Sequence, residues 1–373
     1  MPSSDLARPA EHGGDLGAAT AAYGAPRDGW LDLSTGVNPN AYPVPDLPAY
    51  LWSSLPDPRA LNHLCDLARQ AYGVPQNAAL VAVPGAQSAI SMLPRIVEPR
   101  RKVAVISPTN AEYARAWSLA GHEVREVPNL PRASGLDIVV VCNPDNPTGR
   151  IFDQNELLAM ADDLGVGGGL LVVDESYIDP QPRQSLAGDA PHPALAVIRS
   201  FGRFYGLPGL RLGFAFGARR LMGRLELALG PWSVSGPAID IGTAAFRDEP
   251  WSNSMRFQLV DRAHRLDDIL TGFGLKVLGG TPLFRLVSIP NAHRLQAELA
   301  RSGIWTRTFS YAPQWLRFGL PGSDADFDRL ESTLAAILAN SPSNSPSSAP
   351  TNAPSTAALN TRPSAPREDP GRN

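Results

Sequence analysis

Lysine is nearly missing from this chain: among 373 residues there are two, Lys102 and Lys276. Any chemistry that needs a side-chain amine has only these candidates, and both stand in segments that read as the starts of strands. Cysteine is equally scarce. Cys65 and Cys142 lie in different segments without a Cys-x-x-Cys spacing, which argues against a disulfide framework and a thiolate metal site and fits two buried thiols in a reducing compartment. No metal is expected. No uninterrupted apolar run reaches the roughly 18 residues that cross a bilayer, and the stretch Met1 to Pro9 has no apolar core of a signal peptide. A cytoplasmic protein without a membrane partner is expected. The net charge is −3, and with no basic face or arginine-rich tract nucleic acid is not an expected partner; a small molecule is the default.

What is present is a large apolar inventory, 43% of the chain, enough for one large domain and a smaller one. Short apolar runs at 80–83, 102–106, 138–141, 170–173, 195–198 and 212–216 alternate with helix-like stretches. Runs apolar on both faces and separated by helices predict a mainly parallel, buried sheet of the α/β class, with sites at the strand C-termini. The segment 236–272 has helical spacing and would link this unit to a small α+β unit at 273–340. That unit has strand candidates at 283–287 and 315–319 and a closing helix over 324–338 that begins with Asp. From about residue 341 Pro, Ser, Ala, Thr and Asn dominate, which predicts a disordered tail over 341–373. Residues 1–45 form an N-terminal arm in this reading, and 46–272 form the large domain.

Several short motifs sit where such a sheet would place a site. Gly85-Ala86-Gln87-Ser88 follows a strand and opens a helix, so its amides would face an anion with the helix dipole behind them. Asn143-Pro144-Asp145-Asn146-Pro147-Thr148-Gly149 follows another strand, and its composition fits ordinary turn chemistry and a site loop equally well. Asp174 ends a buried run, where an acid can be a capping carboxylate or a site residue.

The segment Val197 to Phe214, with Arg199-Ser200-Phe201-Gly202-Arg203-Phe204-Tyr205 and Leu210-Arg211-Leu212-Gly213, resembles the cofactor-lysine segment of fold-type I pyridoxal 5'-phosphate (PLP) enzymes. The lysine position holds Arg203. A guanidinium stays protonated and has no localised lone pair, so it cannot form the Schiff base with PLP. The resemblance implies the fold-type I PLP-dependent transferase fold and PLP as cofactor. It places the cofactor phosphate on Gly85, Ala86, Gln87, Ser200 and Arg211, and the ring oxygen on Asn146. The ring nitrogen falls to Asp174, which would keep it protonated as part of an electron sink. Tyr177 would reach the same ring oxygen as Asn146 or pack in the core, and Tyr113 would stack on the ring or stand as an ordinary helix-face tyrosine.

His12-Gly13-Gly14-Asp15, Leu33-Ser34-Thr35-Gly36-Val37-Asn38-Pro39 and the stretch from Gly230 to Ala238 narrow the resemblance to the threonine-phosphate decarboxylases of cobalamin biosynthesis. It implies that His12 and Asn38 help hold the substrate phosphate. Arg307, in Gly303-Ile304-Trp305-Thr306-Arg307, would reach the same phosphate, and Arg317 would grip the α-carboxylate. Without the matched surroundings each would read as a surface residue. A phosphorylated amino acid as substrate and a homodimer follow from the resemblance. Because of Arg203, three readings stand: a decarboxylase of L-threonine O-3-phosphate that has lost its Schiff-base lysine, a non-catalytic binder of PLP or another ligand, and an aminotransferase of a phosphorylated substrate similar to histidinol-phosphate aminotransferase.

Overall fold

A computed structural model of the protein describes residues 12–339; the expected tail at 341–373 and the first eleven residues of the expected arm lie outside them. In chain order the strands are β1 (Leu31–Asp32), β2 (Ala79–Val83), β3 (Lys102–Ile106), β4 (Glu123–Val127), β5 (Ile138–Cys142), β6 (Leu170–Asp174), β7 (Leu195–Ser200) and β8 (Gly213–Gly217) in the first part. β9 (Lys276–Thr281), β10 (Phe284–Ser288), β11 (Ile304–Trp305), β12 (Arg307–Thr308) and β13 (Trp315–Gly319) follow. The large sheet has the order β2-β8-β7-β6-β5-β3-β4. Its pairings are parallel from β4 through β7, while β8 runs antiparallel between β7 and β2.

The central strands form because their residues are β-branched or aliphatic and buried on both faces. Alternation then splits each strand between two cores: Val139 and Val141 of β5 face one, Val140 faces the other. β4 is different. Glu123, Arg125 and Glu126 are exposed on this edge strand, so it carries no apolar run and its charges protect the sheet edge.

The single linking helix expected over 236–272 is corrected to two, Gly236–Arg247 and Glu249–Gly272. Asp248 leaves helical geometry between them, and its carboxylate accepts from Trp251 N at 3.0 Å. Pro250 then falls in the first turn of the second helix, where no amide is needed. The small unit is an antiparallel sheet of order β12-β13-β10-β9, closed by the helix Asp324–Ala339.

The N-terminal segment belongs to both units. β1 pairs in parallel with β11, and Leu33 exchanges backbone bonds with Trp305 and Gly319, each at 2.7 Å. A few residues later the backbone amides of Asn38 and Tyr42 donate to the carbonyls of Arg203 and Tyr205, at 2.9 and 2.8 Å. Residues 31–42 therefore form a strap from the small unit to the large one.

Candidate active site

The C-terminal ends of β5, β6 and β7, the strap and the small unit enclose a cavity of about 850 Å³. One end is built for an anion. Gly85, at φ 80°, caps the helix Ala86–Ile96; its carbonyl accepts from Ser88 N at 3.0 Å, and the amides of Ala86 and Gln87 precede the first i−4 acceptor of the helix. A Cβ on Gly85 would lie 2.6 Å from Arg211 Nη2, so glycine both permits the positive φ and leaves room for the guanidinium. Arg211 itself sits at φ 56°, ψ 52°, a left-handed conformation that costs about 1–2 kcal/mol for a residue with a Cβ. Its Nη1 donates to Pro208 O at 3.0 Å, fixing the fork beside the cup. Ser200, the last residue of β7, also lines the cavity. Gln87 joins through its position in the first turn, because its side chain is turned away to donate to Glu112 at 3.3 Å.

Asp174 ends β6 and is buried, and it is not among the residues that line the cavity. Its carboxylate accepts from Ser176 N at 2.8 Å, from Ser176 Oγ and from the Tyr113 hydroxyl. Burial, then the charge of Asp174, push the Tyr113 hydroxyl well up, which keeps it a proton donor to that carboxylate. Tyr113 thus stands against the acid. Asn146 accepts at Oδ1 from Arg317 Nη1, which leaves Nδ2 as the amide's donor for another partner. The Tyr177 hydroxyl is buried with no hydrogen-bond partner among the described residues, and its ring meets Phe284 edge-on at 5.2 Å. An unpaired buried hydroxyl costs about 1–3 kcal/mol, a cost that a bound acceptor would remove.

Arg203 lies in the turn Phe201–Phe204. Its guanidinium stacks 4.3 Å from the Tyr177 ring centroid, and Nη1 is 3.4 Å from Gly36 O. Neither lysine approaches it. Lys102 is the exposed first residue of β3, roughly 13 Å of strand from the C-terminal edge that forms the site, and Lys276 is the exposed first residue of β9. The residues fit the polar periphery of PLP: an anion cup for its phosphate, Asn146 and the orphaned Tyr177 hydroxyl for its ring oxygen, and Asp174 for its ring nitrogen. They supply no side-chain amine for its aldehyde.

The small unit contributes a second cationic wall. Arg307 and Arg317 are direct partners across the β12–β13 ladder, an arrangement in which like charges repel and an anion between them is favoured. Arg317 is fully enclosed, with Nη2 donating to Ser34 O at 2.6 Å and Nε buried without a partner among the described residues. Burial first, with Arg307 and Arg203 adding, holds it down to about 10 against the opposing effect of Tyr177, so it is still charged at neutral pH.

His12 and Asn38 fare differently. His12 is exposed at the cavity wall with Nε2 3.6 Å from Glu112 Oε1. The Asn38 amide is already used, donating to Phe204 O at 2.8 Å and accepting from Asn40 N at 2.9 Å, so in this structure it fixes the Arg203 turn from behind. Sequence reading missed Arg115, which lines the cavity from the helix Glu112–Leu119. The available signal was its i,i+3 spacing from Glu112 around Tyr113.

Below the site, Arg199 is buried with Glu175 at 3.0 Å and with Asp179. Burial raises both carboxyls and Arg199 opposes this. The network locks the end of β7, and hence Ser200, to the loop after β6.

Residues 56–334 match the family of class I and II aminotransferases. The chain is 42% identical to a threonine-phosphate decarboxylase of Sinorhizobium sp. over 335 residues, 88% of this chain and 99% of that protein. It is also 42% identical to one of Pseudomonas aeruginosa over 327 residues, 87% of this chain and 97% of that protein. Among solved structures, the fold is shared with histidinol-phosphate aminotransferase from Sinorhizobium meliloti in complex with pyridoxal-5'-phosphate (TM-score 0.74, 19% identity, 91% of this chain and 98% of that one). It is shared too with L-threonine-O-3-phosphate decarboxylase from Porphyromonas gingivalis (TM-score 0.68, 22% identity, 82% and 99%). The strand-end site and these likenesses agree: the chain belongs to the class I and II aminotransferase family, on the branch of the threonine-phosphate decarboxylases.

Proposed function

We propose that the chain binds PLP and L-threonine O-3-phosphate for decarboxylation to (R)-1-amino-2-propanol O-2-phosphate in cobalamin biosynthesis, with turnover held low by Arg203. The observation that carries this reading is the cavity's supply of cationic holders. The Gly85 cup with Arg211 suits one anion, and the Arg307–Arg317 pair with His12 suits two more, which are the cofactor phosphate, the substrate phosphate and the substrate carboxylate.

PLP, when bound, supplies the electron sink that accepts the pair left on Cα as the carboxylate departs as CO2. In this reading Asp174 holds a proton on the ring nitrogen, and Tyr113 exchanges its present bond with the acid for a place against the ring. Asn146 Nδ2 and the Tyr177 hydroxyl bind the ring oxygen. Arg317 orients the α-carboxylate, and Arg307 with His12 holds the phosphate. Arg203 can do neither task of a lysine amine, attack at a carbonyl or proton transfer, because its guanidinium does not release a proton at neutral pH. A homodimer in the cytoplasm belongs to the same reading.

The test is release of CO2 from L-threonine O-3-phosphate in the presence of PLP by the protein and by Arg203→Lys. The variant is expected to gain a visible PLP absorbance band that survives gel filtration and to exceed the parent rate by about 10²–10⁴-fold, the range of one acid–base group. A revertant with neither property overturns the reading. Keto acid in place of CO2 would favour the aminotransferase reading, to which histidinol-phosphate aminotransferase relatives such as one of 30% identity over 57% of this chain give some weight.

A further inference from the structure

One wall of the cavity has no assigned role. It is a face of the helix Glu112–Leu119 and the residue before it, on which Ala111, Ala114, Arg115 and Ser118 border the cavity. Three of these four are small, so the wall is open space around a single cation. Arg115 is only partly engaged: Nη1 stands 3.5 Å from Glu112 Oε2, and Nε is buried with no hydrogen-bond partner among the described residues.

Glu112 is shared between several groups. Its side chain is 12% exposed, and the carboxylate takes Gln87 Nε2 at 3.3 Å as well as His12 Nε2 at 3.6 Å. One acid thus brackets two cavity-lining groups, His12 and Arg115, and ties them through Gln87 to the first turn behind the Gly85 cup. His12 and Arg115 share this one carboxylate, and among the described residues the acid that lines the cavity itself is Glu126. A guanidinium also presents the planar fork that matches phosphate oxygens.

On the reading that the ligand is a phosphorylated amino acid, we propose that Arg115 is a specificity-determining residue that receives the substrate's phosphate beside His12 and is positioned by Glu112. A phosphate oxygen then gives Nε the acceptor it lacks among the described residues, and discrimination against the unphosphorylated amino acid follows because that ligand leaves Nε unpaired.

The measurement is calorimetric titration of the full chain, saturated with PLP, with L-threonine O-3-phosphate and with L-threonine. The parent is expected to prefer the phosphorylated ligand. Arg115→Gln should weaken that ligand by about 10- to 100-fold, the worth of one charge-assisted hydrogen bond or two, and leave L-threonine within about twofold. Arg115→Lys, which keeps the charge without the fork, should recover part of the loss. Unchanged affinity for the phosphorylated ligand in Arg115→Gln, or an equal loss for both ligands, overturns the assignment. If Arg115→Gln does not fold, Arg115→Lys decides: a several-fold loss confined to the phosphorylated ligand supports the proposal, and no loss overturns it. A parent without preference between the ligands defeats the functional reading itself, whereas a parent with preference that Arg115→Gln retains defeats only the role of Arg115.

Discussion

At the scale of single residues the site is defined by groups that lack a partner as much as by those that have one. The Tyr177 hydroxyl and Arg317 Nε are buried with no partner among the described residues, while Arg203 is held in place by the Tyr177 ring and Gly36 O. Tyr177→Phe separates the two consequences of such a group. Removing an unpaired buried hydroxyl should raise the stability of the ligand-free protein, by up to about 1–3 kcal/mol in urea unfolding. The same variant should bind PLP about 10-fold more weakly in a spectroscopic titration, the worth of one hydrogen bond to a charged acceptor. A destabilised ligand-free protein with unaltered PLP affinity would show that the hydroxyl serves the core instead. The identities at 174, 203, 211 and 317 were legible in the sequence through motif spacing. That Asn38 spends its amide on the Arg203 turn was not, because its partner is 166 residues away.

At the scale of elements, the strands buried on both faces were readable as apolar runs, and β4 and β12 were not. β4 is a charged edge, and β12 is two residues long, so neither leaves a periodic signal. The loop 143–149 shows how an element gains a defined shape from its surroundings. Asp145 accepts from Thr148 N at 3.2 Å and from Thr148 Oγ1 at 2.5 Å, and a Cβ on Gly149, at φ 73°, would lie 2.1 Å from the carbonyl oxygen of Gly280. The loop therefore rests backbone to backbone on the small unit. Burial raises the Asp145 carboxyl above its ordinary 3.8, against the Thr148 hydrogen bonds. A folded state that binds this proton more tightly than the unfolded chain is penalised by ionisation at neutral pH, and the penalty disappears as pH falls through the raised value toward 3.8. The stability of the parent relative to Asp145→Asn should accordingly improve as pH is lowered from neutral toward 3.8, measured by urea unfolding of both. An opposite trend would mean that the hydrogen bonds dominate and the carboxyl is lowered.

At the scale of the whole molecule, the strap over 31–42 decides how the two units meet around the cavity. Gly36 is its tightest point: a Cβ there would lie 2.9 Å from both Phe284 Cδ1 and Tyr177 Cε1, one in each unit. Gly36→Ala should wedge these rings apart, lowering stability by about 1–3 kcal/mol as overpacking does. It should also weaken PLP binding in titration by a factor well beyond any fall in the folded fraction. Retention of both would show that the rings yield freely and that the strap does not set the site. The sequence reading treated residues 1–45 as a separate arm. The described part of that segment pairs with β11 and Gly319 on one side and with the Arg203 turn on the other, contacts that no local pattern encodes.

Fold class, family and the missing amine can all be read along the chain, because apolar runs, motif spacing and the identity of residue 203 are local. Where the amine's absence matters depends on how the strands are arranged in space. Lys102 and Lys276 could be judged out of reach once the strand directions set which edge carries the site, and Arg115 joined that site because Glu112 and Gln87, 25 residues apart, hold their helices together at its wall. Side-chain pairing across distant segments depends on the packed backbone, and packing is not written in any single stretch of sequence.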